Sequence, residues 1–189
     1  MITPYEQPVG TIFQVAYVER NMEEAIHRFV KTMGIGPWFI PNRPKSPLLR
    51  YRGRATPGLE VTLAWAYSGA LQYEIVVQHD DGPSVFRDVV EQRGYGFHHF
   101  GRFTTNFDAE VEQLTKLGYE KAFEAQAGEV LDFARVVYLD TRDTIGAMLE
   151  IAEYRDLIAN LYRQIQAACV NWDGKDPIRH IGVGPQANT

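Results

Sequence analysis

QVAYVERNMEEAIHRFVKTMGIG, residues 14–36, and HFGRFTTNFDAEVEQLTKLGYE, residues 99–120, are two renderings of one pattern. Each begins as an apolar strand, reaches an asparagine (Asn21, Asn106), and runs on into a helical period. Met22, Ala25, Ile26, Phe29 and Val30 recur at helical spacing in the first copy, as do Phe107, Val111, Leu114 and Leu117 in the second. Both asparagines suit N-caps, and the acidic residues just after them complement the positive end of a helix dipole. Each helix then closes on a glycine.

Working outward, three strand-like stretches follow each helix. They are GPWFIPNR, EVTLAWAYS and ALQYEIVVQ in the first half, and EKAFEAQ, FARVVYLD and GAMLEIAE in the second. The pattern predicts an α+β fold of two tandem βαβββ modules, spanning residues 10–79 and 96–153. The first-strand positions Gln14 and His99 lie 85 residues apart and the last-strand positions Glu74 and Glu150 only 76. The first half therefore carries the longer loop, placed at RPKSPLLRYRGRATPG. Between the modules, residues 80–95 read as a linker helix opened by Pro83 and Ser84 and ended by Gly94 and Gly96. After them, residues 154–189 give an amphipathic helix with Leu157, Ile158, Leu161, Ile165 and Ala168 on one face, to be packed on the sheet or on a partner subunit. A loosely ordered tail is expected to follow.

Composition narrows the function. With 45% hydrophobic and 12% aromatic residues in a chain of 189, a buried core is affordable and no apolar run is long enough to span a bilayer. A net charge of −5 without any Lys/Arg block leaves no footprint for nucleic acid, so the expected partner is a small molecule. The first ten residues lack the basic start and apolar middle of a secretory signal. One cysteine, Cys169, allows no intrachain disulfide and no thiolate zinc site. A cytoplasmic protein is expected.

Strand alternation puts Gln14, Ala16 and Val18 on one face, and His99, Gly101 and Phe103 on the equivalent face of the second copy. Glu74 in LQYEIVV and Glu150 in AMLEIAE hold matching places in the final strands. A carboxylate on an enclosed sheet face is costly unless paired or bound to a cation. Two of them with an imidazole and an amide make a set of four N/O ligands, Gln14, Glu74, His99 and Glu150. Such a set suits a divalent Zn, Ni, Co, Mn or Fe ion. His79 and His98 lack support from the repeat and are read as structural, with His98 placed opposite to His99 by alternation.

QVAYVERNMEEAIHRFVKTMGIGPW, YEIVVQHDDGPSVFRDVVEQRGYGFHHFG and MLEIAEY resemble the opening strand-helix, the central ligand strands and the closing strand of the vicinal oxygen chelate superfamily. That superfamily includes glyoxalase I, methylmalonyl-CoA epimerase, extradiol dioxygenases and the fosfomycin and bleomycin resistance proteins. The resemblance covers about residues 10–154. It implies a cupped mixed sheet around one metal, with the four ligand positions falling on Gln14, Glu74, His99 and Glu150. Gln, Glu, His, Glu in chain order is similar to one class of glyoxalase I, whereas the methylmalonyl-CoA epimerase type more often has His first and Gln second. Two His and one carboxylate would mark an extradiol dioxygenase, and Gln14 leaves that triad incomplete. Where glyoxalase I has an arginine for glutathione, four residues after the first ligand, Val18 stands here.

The resemblance thus implies a metal-dependent isomerase, epimerase or lyase that abstracts a proton next to a metal-bound carbonyl, with Glu150 as base and Glu74 as the second candidate. An iron-dependent dioxygenase and a non-catalytic small-molecule binder are the alternatives. Trp38, Phe39, Tyr51, Trp65, Tyr67 and Phe133 are available to line an apolar pocket, although pleated strands favour such residues as plain core. The family habit of pairing chains implies a homodimer.

Overall fold

The computed structural model describes residues 7–42, 48–56, 58–126 and 135–182. The first repeat comprises β1 (Ile12–Val18), α1 (Met22–Met33), β2 (Trp38–Asn42), β5 (Val61–Ser68) and β6 (Leu71–Gln78). A hairpin of β3 (Leu48–Tyr51) and β4 (Arg54–Ala55) is inserted after β2. Following α2 (Val85–Arg93), the second repeat comprises β7 (Gly96–Thr104), α3 (Phe107–Lys116), β8 (Lys121–Gln126), β9 (Val136–Leu139), the single-turn α4 (Arg142–Ile145) and β10 (Met148–Glu153). Helix α5 (Asp156–Cys169) and strand β11 (Ile178–Gly182) follow the two repeats.

All described strands join one mixed sheet, in the order β11-β2-β5-β6-β1-β7-β10-β9-β8-β3-β4. In each repeat the first strand lies parallel to the last, β1 to β6 and β7 to β10, and the two first strands meet antiparallel at the centre. One face carries α1, whose Ala25, Ile26 and Phe29 pack on Trp38, Ala64, Ala66 and Ile75, and α3, against Val137, Leu139 and Ile151. The other face carries α2 and α5 over Phe103, Phe123, Tyr138, Trp65 and Met148. Gln14, Glu74, His99 and Glu150 lie on this second face, against Trp65 and Tyr138. Among the described residues no helix is long and apolar enough to cross a membrane.

The two helix starts differ, which corrects one expectation. Asn21 caps α1, its Oδ1 accepting from Glu24 N at 3.0 Å. Asn106 makes no such bond. There Thr104 Oγ1 accepts from Asn106 N at 3.0 Å, so the preceding threonine organises the turn.

Three further expectations change. The predicted loop at 43–58 contains, in its described part, the β3–β4 hairpin, which crosses to the other repeat and pairs with β8. Arg52 fastens it, donating to Asp88 Oδ2 (2.8 Å) and Asp140 Oδ2 (3.1 Å) and pairing with Glu120, while Tyr51 Oη donates to Asp88 Oδ1 (2.7 Å). The predicted tail forms β11, which pairs parallel with β2 because an edge strand offers a row of unused N–H and C=O groups. Trp172 helps to hold it down, lying so close on Gly36 that a Cβ there would come within 2.5 Å of the indole. On α5 the buried residues are Ile158, Ala159, Tyr162 and Ile165, and Leu157 faces outward.

Candidate metal centre

The four ligand candidates sit on the four central strands, β6-β1-β7-β10, and the pairing register explains why they meet. Gln14 lies opposite Gly101, and Ala16 opposite His99, so each first-strand candidate faces a small residue two positions beyond the other. Gly101 has to be small. A Cβ there would stand 2.6 Å from Gln14 Oε1 and 3.0 Å from its Cβ. The last strands then flank this pair, with Glu74 beside Ala16 and Glu150 beside Gly101.

Each first strand also carries one extra residue immediately before its candidate. Pairing passes from Ile12↔Arg102 to Gln14↔Gly101, leaving Phe13 over, and from Ala16↔His99 to Tyr17↔Phe97, leaving His98 over. Such bulges break the alternation of side chains and re-aim them. Phe13 consequently stacks on Phe103 at 4.2 Å, on the same face as Gln14. His98 likewise shares a face with His99, which corrects the expectation that it points away; its ring lies 5.1 Å from that of Phe86 on α2.

All four candidates are buried, from 0% exposure at His99 to 8% at Glu150. His99 Nε2 is 3.2 Å from Gln14 Oε1, 3.2 Å from Glu150 Oε2 and 3.5 Å from Glu74 Oε2. One ligand atom each from Glu74, His99 and Glu150 lies within 4.8 Å of the others. Ligands about 2.1 Å from a common ion are separated by roughly 3.0–3.5 Å along the edges of an octahedron or tetrahedron, so this spacing fits a first-row divalent cation. Two carboxylates in a buried site also supply the charge that a cation balances.

Partners behind the candidates aim them inward. Gln14 Nε2 donates to Gln72 Oε1 at 2.6 Å, and Gln72 Nε2 donates to Tyr67 Oη at 3.0 Å, which turns the Gln14 carbonyl towards His99. Trp65 Nε1 donates to Glu74 Oε1 at 2.7 Å, leaving Oε2 on the His99 side. His98 Nε2 donates to Val85 O at 2.9 Å, and its Nδ1 meets Nδ1 of His99 at 2.9 Å. Burial drives the His98 imidazole well below its usual range, and the neighbouring His99 ring adds to the effect.

Four residues behind the candidates, Gln72, Tyr67, Trp65 and His98, have roles not assigned from the sequence. Gln72 was legible, since alternation puts it on the same face of LQYEIVV as Glu74. Trp65 and Tyr67 were singled out as pocket aromatics and instead present polar tips to site side chains. His98 depended on a bulge with no local signature. Trp38 belongs to the opposite face, Phe39 to the core, Tyr51 to the Arg52 cluster, and Phe133 lies outside the described residues. His79 Nε2 hydrogen-bonds Thr62 Oγ1 at 2.7 Å near the surface. Val18 is buried in the core at the position where the resemblance to glyoxalase I would require an arginine.

Residues 13–134 match the model of the Glyoxalase/Bleomycin resistance protein/Dioxygenase superfamily. The chain belongs to this superfamily. Among curated proteins it has no match. Solved structures similar to this superfamily member include a hypothetical protein from Bacillus halodurans C-125, with 14% identity and a TM-score of 0.53 over 78% of this chain and 96% of that one. Methylmalonyl-CoA epimerase from Mycobacterium tuberculosis shares 16% identity, with a TM-score of 0.51 over 80% of this chain and 91% of its own. A Streptomyces coelicolor methylmalonyl-CoA epimerase variant, solved with 2-nitronate-propionyl-CoA, shares 14% identity with a TM-score of 0.50, over 77% and 98%. At these identities the likeness is one of fold.

Proposed function

We propose that this superfamily member is a divalent-metal-dependent isomerase, epimerase or lyase that abstracts a proton next to the carbonyl of a small organic substrate. The observation that carries the reading is the buried meeting of His99 Nε2 with three side-chain oxygens, from Gln14, Glu74 and Glu150, at 3.2–3.5 Å. These four side chains would hold the ion, whether zinc, nickel, cobalt, manganese or iron. When bound, the ion supplies a Lewis acid that polarises a carbonyl and stabilises the developing oxyanion.

The chain's own residues divide the remaining work. Glu74 is held by the Trp65 indole and keeps one oxygen directed at the centre. Glu150 is the most exposed of the four and is assigned as the base that takes and returns the proton. A base of this kind contributes about 10²–10⁴-fold. Phe86, Phe123, Met148 and Tyr138 form an apolar wall on the same face. Iron-dependent ring cleavage is disfavoured, because the second imidazole, His98, spends both ring nitrogens on Val85 O and His99.

Protein purified without chelators is expected to carry about one equivalent of divalent metal, measured by elemental analysis. Among α-hydroxy carbonyl compounds and acyl-CoA esters, at least one should exchange a carbon-bound proton with deuterated solvent. Glu150→Gln is then expected to lose that exchange while keeping the metal. Protein devoid of metal, or a variant that still exchanges, overturns the proposal.

A further inference from the structure

The extra residue of the second bulge has a chemical consequence that its counterpart in the first cannot have. We infer that His98 is a positioning residue, which holds a proton on Nδ1 of His99 and so leaves Nε2 as the nitrogen turned to the metal. The inference deepens the proposed function and rests on it only for the metal.

The argument follows the hydrogen bonds inward from α2. Val85 O is a pure acceptor, so the His98 nitrogen that meets it at 2.9 Å, Nε2, must be the protonated one. Both His98 and His99 are fully buried, and their Nδ1 atoms face each other at 2.9 Å. Only one proton fits between two such nitrogens. His98 meets Val85 O and the rings of Phe86 and Tyr138, whereas the carboxylates of Glu74 and Glu150 face His99, so nothing draws a second proton onto His98. With its one proton on Nε2 its Nδ1 is bare, and the shared proton belongs to His99. Nε2 of His99, 3.2 Å from both Gln14 Oε1 and Glu150 Oε2, is thereby the atom available to coordinate. Backbone carbonyl, outer imidazole and inner imidazole form one directed chain, in which a second histidine takes the place of the carboxylate or carbonyl that more often orients a ligating histidine.

Position also limits what else His98 can do. Both of its nitrogens are engaged, it is separated from the three oxygens by His99, and it touches Phe86 at 5.1 Å between ring centres. It therefore acts through His99 and not on substrate.

The test reads the tautomer before it reads the metal. Long-range ¹H–¹⁵N spectra of the metal-free, ¹⁵N-histidine-labelled protein at neutral pH should show His99 Nδ1 protonated, and His98 protonated at Nε2 but not at Nδ1. A protonated Nδ1 on His98, or a bare Nδ1 on His99, overturns the inference. Competition of Co²⁺ with a chelator then measures affinity. His98→Phe keeps the ring volume without the acceptor and should weaken binding by about 10–100-fold, the usual consequence of losing an outer partner. His98→Asn restores an acceptor oxygen near the Nδ1 position and should stay within about threefold of the wild type. Equal losses in the two variants would reduce His98 to packing and overturn the assignment. If His98→Phe fails to fold, the wild-type spectrum and the affinity of His98→Asn decide. Wild-type protein that takes up no Co²⁺ defeats the proposed function, and the spectrum still settles the tautomer.

Discussion

The two repeats place Gln14 and His99 at equivalent points on adjacent strands, each after a one-residue bulge, yet they use the bulge differently. In the first repeat the extra residue is Phe13, which stacks on Phe103 and packs near Tyr162 of α5. In the second it is His98, which reaches a carbonyl of α2. One backbone device therefore yields an apolar contact on one side and a polar relay on the other. Backbone geometry fixes where a side chain is aimed, while residue identity fixes what arrives there.

The largest expected difference between the halves concerns the two equivalent ligands. An imidazole is a far stronger ligand than an amide carbonyl, so His99→Ala should cost more than about 100-fold in Co²⁺ affinity and Gln14→Ala about tenfold. Equal losses would break the assignment of unequal roles. Next comes the crossed seating of the pair. Gly101→Ala forces Gln14 away from a Cβ 2.6 Å from its Oε1, and overpacking of this kind should destabilise the fold by about 1–3 kcal/mol in thermal or chemical unfolding. An unchanged melting temperature would show that the amide has another place to go.

A smaller effect is expected where the first repeat clips onto the second. Arg52→Ala removes the partner shared by Asp88, Asp140 and Glu120 and should cost about 1–2 kcal/mol, less than a buried pair because the guanidinium is partly exposed. The bond from Arg142, with that from Arg52 behind it, lowers the Asp140 carboxyl from 3.8 to about 2 in the folded protein. A lowered carboxylate contributes stability that is fully present above its unfolded value and fades as the pH falls through the folded one. Wild-type stability should accordingly decline from about pH 4 towards pH 2, and the gap to Arg52→Ala should narrow over the same window. A gap constant with pH would mean that the ion pairs do not carry the effect. The smallest contrast lies at the helix starts. Asn21→Ala loses a cap bond and should cost about 1 kcal/mol, whereas Asn106→Ala, whose side chain makes none, should stay within a few tenths.

Much of this was legible in the chain. Period 3.6 in α1 and α3, and apolar strands around them, followed from residues within one window, and burial of Ala25, Ile26 and Phe29 follows the same period. The candidate site was legible through the repeat, because duplication turned four unremarkable polar residues into matched pairs, and the structure brings all four together. What escaped were features fixed by distant residues. The β3–β4 hairpin pairs with a strand some 75 positions away, β11 pairs with an edge left open by β2, and neither partner is visible from the local sequence.

The sequence alone determined the α+β repeat and the identity of the four inward polar residues, since both rest on local periodicity and on the cost of burying charge. Only the tertiary structure decided how those residues are aimed. Register, bulges and the approach of α2 set the direction of an imidazole or an amide, and those depend on which strands pair and how they slip past each other. His98 shows the difference most clearly, for a single unpaired residue in β7 turned it from the far face into the partner of His99.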